Sequence, residues 1–265
     1  MTTLSASANI ARCGALLLAL LVAASTHAVE RPRIAIIIDD LGYVAAAGWR
    51  AVRLPGPVAC AILPGTPRAV ELARAAHAAG KDVLVHLPLQ AMERDAPPEP
   101  GEIVLDMTRT EFSRAVAGNI GSVPHAVGVN THRGSLLTQH PGHMSWLMEE
   151  LAEARGYFFV DSYTTHRSVA LAMAREQGVP AVRRDVFLDP DRDAATVARE
   201  FRRLKALARE KGMAVGIGHP YPETLELLER ELPALAAEGI ELVGIGDYVA
   251  MREAVRVAAN GVLSR

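Results

Sequence analysis

The 265-residue sequence has few of the residues on which several classes of protein depend. It contains only two cysteines, Cys13 and Cys60, which excludes a fold held together by several disulfides. Aromatic residues make up 5% of the chain, and 28 basic residues are outnumbered by 30 acidic ones. A chain with few aromatic rings and no basic excess has neither stacking platforms for bases nor the charge to neutralise a phosphate backbone. We therefore expect no nucleic-acid partner.

The N-terminal segment carries the features of an export signal. A ten-residue apolar run, Ala15–Ala24, follows Arg12. Small residues, Thr26 and Ala28, come after the run. This order is typical of a secretory signal peptide, and the run is too short to span about 30 Å of hydrocarbon comfortably. We expect residues 1–28 to be a signal peptide, and the mature protein to be exported to the periplasm or the cell exterior with no stable membrane span. An uncleaved N-terminal anchor is the alternative.

Short apolar runs alternate with longer helical patterns along the rest of the chain. The predicted strands are 33–38, 58–63, 83–87, 126–129, 157–160, 181–182, 214–217 and 242–245. The predicted helices are 67–79, 110–120, 143–155, 168–177, 194–211 and 223–238. Alternation of this kind is typical of parallel β/α units. We predict one α/β domain over residues 31–265, a (β/α) barrel that can be incomplete, with an open doubly wound sheet as the alternative.

Ionisable residues follow five of the predicted strands. They are Asp39 and Asp40, His86, His132, Asp161, and His219. In a parallel barrel the carboxyl ends of the strands open onto one face, so these side chains are expected to converge on one pocket. Two imidazoles and a carboxylate suit Zn²⁺ or another first-row divalent metal, and the remaining groups can act as base and acid. The residues therefore predict metal-assisted hydrolysis of an amide or an ester.

At these residues the chain resembles the divergent polysaccharide deacetylase family, a branch of the NodB-type carbohydrate esterases. The matching strings are IAIIIDDLG (34–42), HLPLQ (86–90), GVNTHRGS (128–135), FFVDSYTT (158–165), RDVFLD (184–189) and IGHPYPETL (217–225). The resemblance implies an irregular (β/α)7-type barrel that removes acetyl groups from an N-acetylated polysaccharide. The metal ligands that it implies are Asp40, His86 and His132. The catalytic residues that it implies are Asp39 as base, His219 as general acid, and Asp161 as the residue that orients a catalytic group.

The sequence departs from the standard deacetylase pattern at one ligand. That pattern has two histidines four residues apart, whereas Gln90 stands four residues after His86, so His132 is the best candidate for the second imidazole. Arg133, beside it, could bind an anionic group of the substrate or pair with Asp39. The residues predicted to contact substrate are Arg133, Ser135 and Tyr221.

Three functions are considered for the predicted barrel. One is the removal of N-acetyl groups from an envelope polysaccharide with a divalent metal, for which Zn²⁺ is expected. Another is a non-catalytic relative that keeps the barrel and binds glycan or an envelope protein, and an ion pair between Arg133 and Asp39 would favour it. A phosphatase-like hydrolase is a third function, which the histidine-rich set disfavours. The sequence identifies no protein partner, and it indicates a turn at Asp189 and Pro190.

Overall fold

The computed structural model describes residues 31–93, 99–154 and 156–263. The predicted signal peptide, residues 1–28, lies outside these residues. Pro32–Arg265 form one compact unit. Every helix in the described ranges is too short or too polar to cross a bilayer.

In the described part of the chain, nine strands form one parallel sheet. They are β1 (Arg33–Leu41), β2 (Ala59–Ile62), β3 (Val83–Leu89), β4 (Ala126–Arg133), β5 (Phe158–Asp161), β6 (Ala181–Arg183), β7 (Val186–Phe187), β8 (Met213–Gly218) and β9 (Glu241–Leu242). Eight of them follow the order β6-β5-β4-β3-β2-β1-β8-β7, and β9 pairs with the start of β1. Among the described strands, β6 and β7 end this order without pairing with each other. The sheet is therefore an incomplete, irregular barrel, as predicted, and we call the opening between β6 and β7 the seam.

Eight α-helices are present in the described ranges. They are α1 (Ala45–Val52), α2 (Ala69–Ala78), α3 (Arg109–Ser122), α4 (Pro141–Glu153), α5 (Ala170–Glu176), α6 (Ala194–Lys211), α7 (Pro222–Glu231) and α8 (Ile245–Leu263). Capping residues in the sequence explain the ends of two of these helices. A capping box between Thr108 and Glu111 starts α3, and Asp193 caps α6, which ends at Gly212 in the left-handed conformation.

Two of these helices were not predicted from the sequence. Helix α1 is short, and no side chain caps its start at Val44, so the sequence carries no strong start signal for it. The predicted strand 242–245 is wrong at its end. β9 stops at Leu242, and the apolar residues that follow begin α8, where Ile245 is fully buried. A short buried apolar run does not distinguish a strand from the first turn of a buried helix.

Both faces of the central strands are buried, which explains why the strands read as continuous apolar runs. On β1, Ile34, Ile36 and Ile38 pack with residues of the surrounding helices, while Ala35 and Ile37 pack with residues of neighbouring strands. The second set also includes Ile245, Tyr248 and Val249 at the start of α8. Helix α8 therefore closes the interior of the barrel. Polar residues stand at the ends of the strands.

Gly128 of β4 provides a test of this packing. A Cβ atom added there would lie 2.7 Å from the ring of Phe158 on β5, whereas a Cβ atom on Gly118 of α3 would meet nothing within 4 Å. We expect Gly128→Ala to lower the free energy of unfolding by about 1–3 kcal/mol because the ring or the strand must shift. The control, Gly118→Ala, is expected to raise it by about 1 kcal/mol. Urea denaturation measures both values, and equal values for the two variants would contradict the packing described here.

Candidate active site

Residues near the carboxyl ends of seven strands line one cavity of about 320 Å³. The predicted site residues that line it are Asp39, Asp40, His86, His132, Arg133 and His219. Asp39 and Asp40 belong to β1, and His219 follows β8 directly. The topology thus brings together side chains that are up to 180 positions apart in sequence, as expected for the open face of a parallel barrel.

Three donor atoms meet at the centre of this cavity. Oδ1 of Asp40 lies 3.1 Å from Nε2 of His86 and 2.9 Å from Nδ1 of His132, and the two nitrogens are 3.1 Å apart. Two ligands on a tetrahedral metal with bonds of about 2.0–2.2 Å are about 3.3–3.6 Å apart, a little farther than these atoms are from one another. The three side chains therefore have both the chemistry and the spacing of a site that could hold a divalent metal. Gln90 lies outside this group, and its side chain accepts a hydrogen bond from the backbone N of Leu105 at 2.8 Å.

The far nitrogen of each imidazole has a partner of its own. Nδ1 of His86 lies 2.9 Å from Oδ1 of Asn130, and Nε2 of His132 lies 2.9 Å from Oε1 of Glu99. If each far nitrogen carries the proton and donates it, the near nitrogen has a lone pair to offer a metal. Neither Asn130 nor Glu99 was predicted from the sequence as a partner of these histidines. Asn130 precedes His132 by two residues on β4, so strand alternation places them on one face, but Glu99 lies in a loop with no periodicity.

The electrostatics of this group favour a positive charge between the carboxylates. Burial alone would lower the pKa of His132, but hydrogen bonds with Asp40 and Glu99 outweigh burial and raise it to about 9. Burial would raise the pKa of Asp40, yet hydrogen bonds from His132 and His86 hold it well below its usual range. A cation, either a proton or a metal ion, is therefore stabilised at this position.

Asp39 lies beside this group and is buried. Its Oδ1 accepts a hydrogen bond of 2.7 Å from Nδ2 of Asn130, and its Oδ2 lies 3.6 Å from Nε2 of His86. Burial raises the pKa of Asp39, and the nearby charges of His86 and His219 only partly offset it. A carboxyl group with a raised pKa is a stronger base than an exposed one.

Asp189 orients His219. Nδ1 of His219 lies 2.9 Å from Oδ1 of Asp189, while Oδ2 of Asp189 accepts hydrogen bonds from the His219 backbone N at 2.6 Å and from Thr224 at 2.7 Å. Nε2 of His219 faces the carboxylate of Asp40 at 3.7 Å. Burial lowers the pKa of His219, but Asp189 and the other carboxylates raise it above its ordinary value. The sequence indicates only a turn at Asp189. Its role in orienting His219 depends on β7 lying beside β8.

Asp161 holds a loop at the edge of the cavity. Its two oxygens accept hydrogen bonds from the backbone N of Tyr163 and from the hydroxyl of Ser168, each at 2.9 Å. Burial raises the pKa of its carboxyl group. Arg184, which lines the cavity, holds the same loop by donating to the carbonyl oxygens of Ser162 at 2.6 Å and Tyr163 at 3.0 Å. Among the described contacts of Asp161 there is no hydrogen bond to Asp39 or His219, and its predicted orienting role stays a prediction.

The three predicted substrate contacts have different surroundings. Arg133 lines the cavity with a φ of 55° and donates to the backbone oxygen of Glu93 at 3.4 Å. No ion pair joins it to Asp39 in the described structure. The Ser135 hydroxyl lies outside the cavity lining and donates to the carboxylate of Glu93 at 3.1 Å. The ring of Tyr221 stacks on that of His219, with centroids 5.3 Å apart.

The pairing of Asp189 with His219 can be tested by Asp189→Asn. Removing a negative charge 2.9 Å from the imidazole should lower the pKa of His219 by about one pH unit. An NMR titration of the imidazole carbon and proton signals measures the change. Asp247→Asn, which neutralises an exposed residue at the start of α8, is the control and should leave the titration unchanged. A His219 titration that is the same in both variants would contradict the pairing.

Comparisons with known proteins find relatives over most of the chain. The sequence profile of divergent polysaccharide deacetylases matches residues 36–249. An uncharacterised protein of Haemophilus influenzae is 37% identical over 223 residues, which are 84% of this chain and 79% of that protein. The uncharacterised Escherichia coli K12 protein YibQ is 35% identical over 198 residues, so the match covers 75% of this chain and 61% of YibQ.

A solved structure supports the fold itself. The crystal structure of an uncharacterised protein from Agrobacterium tumefaciens C58 superposes with a TM-score of 0.79 at 21% identity, covering 83% of this chain and 90% of that one. Together with the profile match over most of the barrel, these relatives identify the chain as a member of the divergent polysaccharide deacetylase family.

Proposed function

We propose that the protein removes N-acetyl groups from a cell-envelope polysaccharide with the help of a divalent metal, for which Zn²⁺ is the expected ion. The observation that carries the proposal is the meeting of one oxygen of Asp40 with one nitrogen each of His86 and His132, at 2.9–3.1 Å from one another. Membership of the family supports a polysaccharide substrate. The envelope location depends on the predicted signal peptide.

The residues present fit a metal in chemistry as well as in spacing. Asp40, His86 and His132 would hold it, because one carboxylate and two imidazoles are ligands that Zn²⁺ accepts in catalytic sites. A bound Zn²⁺ lowers the pKa of water and polarises a carbonyl group. The hydroxyl of Thr131 is buried at the same cavity without a hydrogen-bond partner in the described structure, which supports a polar occupant there.

Asp39 and His219 supply the proton transfers. Asp39, buried beside the three donors, takes a proton from the water that attacks the acetyl carbonyl carbon. As the C–N bond breaks, the imidazolium of His219 gives its proton to the departing amine nitrogen. The products are acetate and a sugar with a free amino group. Asp189 keeps the imidazole of His219 oriented and favours its protonated form, since its carboxylate lies 2.9 Å away.

The side chains at the mouth of the cavity would position the sugar. Arg133 lines the cavity and forms no ion pair in the described structure, although its charge acts on Glu99, so it can contact an anionic group of the substrate. The ring of Tyr221 stacks on His219, and the guanidinium of Arg192 lies over it at 3.9 Å, so a sugar ring would have to displace Arg192 to stack there. Ser135 would reach the substrate only if its contact with Glu93 opened.

The reaction is tested by acetate release from N-acetylated chito-oligosaccharides and peptidoglycan fragments in the presence of Zn²⁺. Asp39→Asn should lower kcat by about 10²–10⁴-fold because the base is lost. A chelator should abolish release, and added Zn²⁺ should restore it. Asp247→Asn, which removes one exposed carboxylate away from the cavity, is the matched control and should keep wild-type activity.

Tight Zn²⁺ binding without acetate release from any of these glycans would contradict catalysis and leave the non-catalytic, glycan-binding relative. No observation in the described structure favours that alternative at present, because the ion pair between Arg133 and Asp39 that it predicted is not formed.

The pH dependence of kcat/KM provides a second test. Activity requires Asp39 deprotonated and His219 protonated, so it should fall at acid pH and again at alkaline pH. The pKa values of Asp39 and His219 are both raised. The fall in activity at acid pH should therefore lie above the pKa of an ordinary aspartate, and the fall at alkaline pH above the pKa of an ordinary histidine. Asp189→Asn should move the alkaline limb to lower pH, because His219 then loses its proton more readily. An alkaline limb that does not move would remove His219 from the role of acid.

A further inference from the structure

A second cavity, of about 290 Å³, lies at the seam of the barrel. Its walls come from β6, from α5 before it and from α8, and it shares no lining residue with the catalytic cavity. Its basic and hydroxyl-bearing residues are Arg175, Arg183, Arg252, Arg256 and Tyr248. We call this space the seam cavity.

The seam cavity carries an excess of uncompensated positive charge. Its four arginines outnumber its two acidic residues: Glu253 pairs with Arg256, and the carboxylate of Asp185 accepts a hydrogen bond from the backbone N of Val215 at 2.9 Å. The other three guanidinium groups form no hydrogen bond or ion pair within the described part of the chain. They belong to Arg175, Arg183 and Arg252.

Tyr248 adds a buried donor to the three guanidinium groups. The residue is 2% exposed and lines the cavity. Its hydroxyl has no hydrogen-bond partner among the described residues. Burial raises the pKa of this hydroxyl well above its ordinary value, so the group keeps its proton and can donate it to an acceptor. Donors from α5, β6 and α8 thus line the seam cavity without a hydrogen bond to a protein acceptor in the described structure, and the guanidinium of Arg183 also lies over the ring of Tyr163 at 4.1 Å.

We propose that the seam cavity binds the phosphate group of a phosphorylated organic ligand. Each guanidinium presents a planar fork of N–H donors that matches two oxygens of a phosphate, and several forks around one space match its tetrahedral shape. The cavity is larger than a single phosphate needs, and Leu171, Ala181 and Val255 give it an apolar wall. The ligand is therefore an organic phosphate rather than the inorganic ion.

The rim of the seam cavity indicates two sources for such a ligand. Val255 and Val257 of α8 are 62% and 57% exposed, and they flank Arg256. Apolar side chains next to arginines suit a phosphate attached to an apolar body, as in a phospholipid head group at a membrane surface. A free sugar or glycerol phosphate offers the same phosphate chemistry without the membrane.

Two binding assays with the full mature protein separate these sources. Titration calorimetry with glycerol 3-phosphate measures binding of a free organic phosphate. Co-sedimentation with vesicles of phosphatidylglycerol in phosphatidylcholine, compared with phosphatidylcholine alone, measures binding of a lipid phosphate. The test variant is R175Q/R252Q. The matched control is R74Q/R202Q, which removes two exposed arginines from α2 and α6. A second control, His132→Gln, removes a ligand of the catalytic cavity, where a phosphate could also bind.

We expect R175Q/R252Q to weaken binding of the responding probe at least tenfold, while R74Q/R202Q and His132→Gln bind it as the wild type does. The charge-preserving variant R175K/R252K should lie between, because lysine lacks the planar fork. Thermal unfolding verifies that each variant is folded. The proposal is overturned if neither probe binds at millimolar concentration, if R74Q/R202Q loses as much affinity as R175Q/R252Q, or if only His132→Gln loses binding.

Discussion

The carboxylate of Asp40, held between the imidazoles of His86 and His132, is the interaction on which the site depends. It joins three strands, and it exists only because β1, β3 and β4 run parallel and end at the same face. The register of β3 and β4 pairs His86 with Asn130 and Pro88 with His132. The two histidines are therefore offset by one strand period along the same face, and the carboxylate of Asp40 contacts a nitrogen of each. The backbone of Asp40 takes a φ of 57°, a strained value for a residue that is not glycine.

The site residues that could be predicted from the sequence are those that interrupt or end apolar runs. A strand buried on both faces must be apolar along its length, so Asp39, His86 and His219 stood out at the ends of such runs. The residues that orient the histidines could not be recognised in the same way. Asp189 reaches His219 because the two-residue strand β7 lies beside β8, and neither local pattern nor hydrophobic period encodes that neighbour. The first turn of α8 was mistaken for a strand because its residues enter the barrel interior.

The two cavities of the barrel differ in how far their charged side chains are paired. In the cavity lined by Asp40, His86 and His132, each histidine is matched with a carboxylate or an amide, and these contacts shift the pKa values of Asp40, His132 and His219. At the seam Glu253 pairs with Arg256 and Asp185 accepts a backbone hydrogen bond, while Arg175, Arg183 and Arg252 form no ion pair in the described structure. Because Arg183 and Arg184 are adjacent, one facing the seam cavity and the other the catalytic cavity, a single short segment separates the two.

A cation held by Asp40, His86 and His132 would also stabilise the fold as a whole. These three residues stand at positions 40, 86 and 132, so a cation shared among them closes two loops of chain, each about forty-six residues long, much as a covalent cross-link would. Any ion that binds the folded barrel and not the unfolded chain adds its binding free energy to the stability of the barrel. The one cysteine of the described residues is buried and free, so coordination at this site would supply a cross-link of the kind that disulfides supply in other proteins.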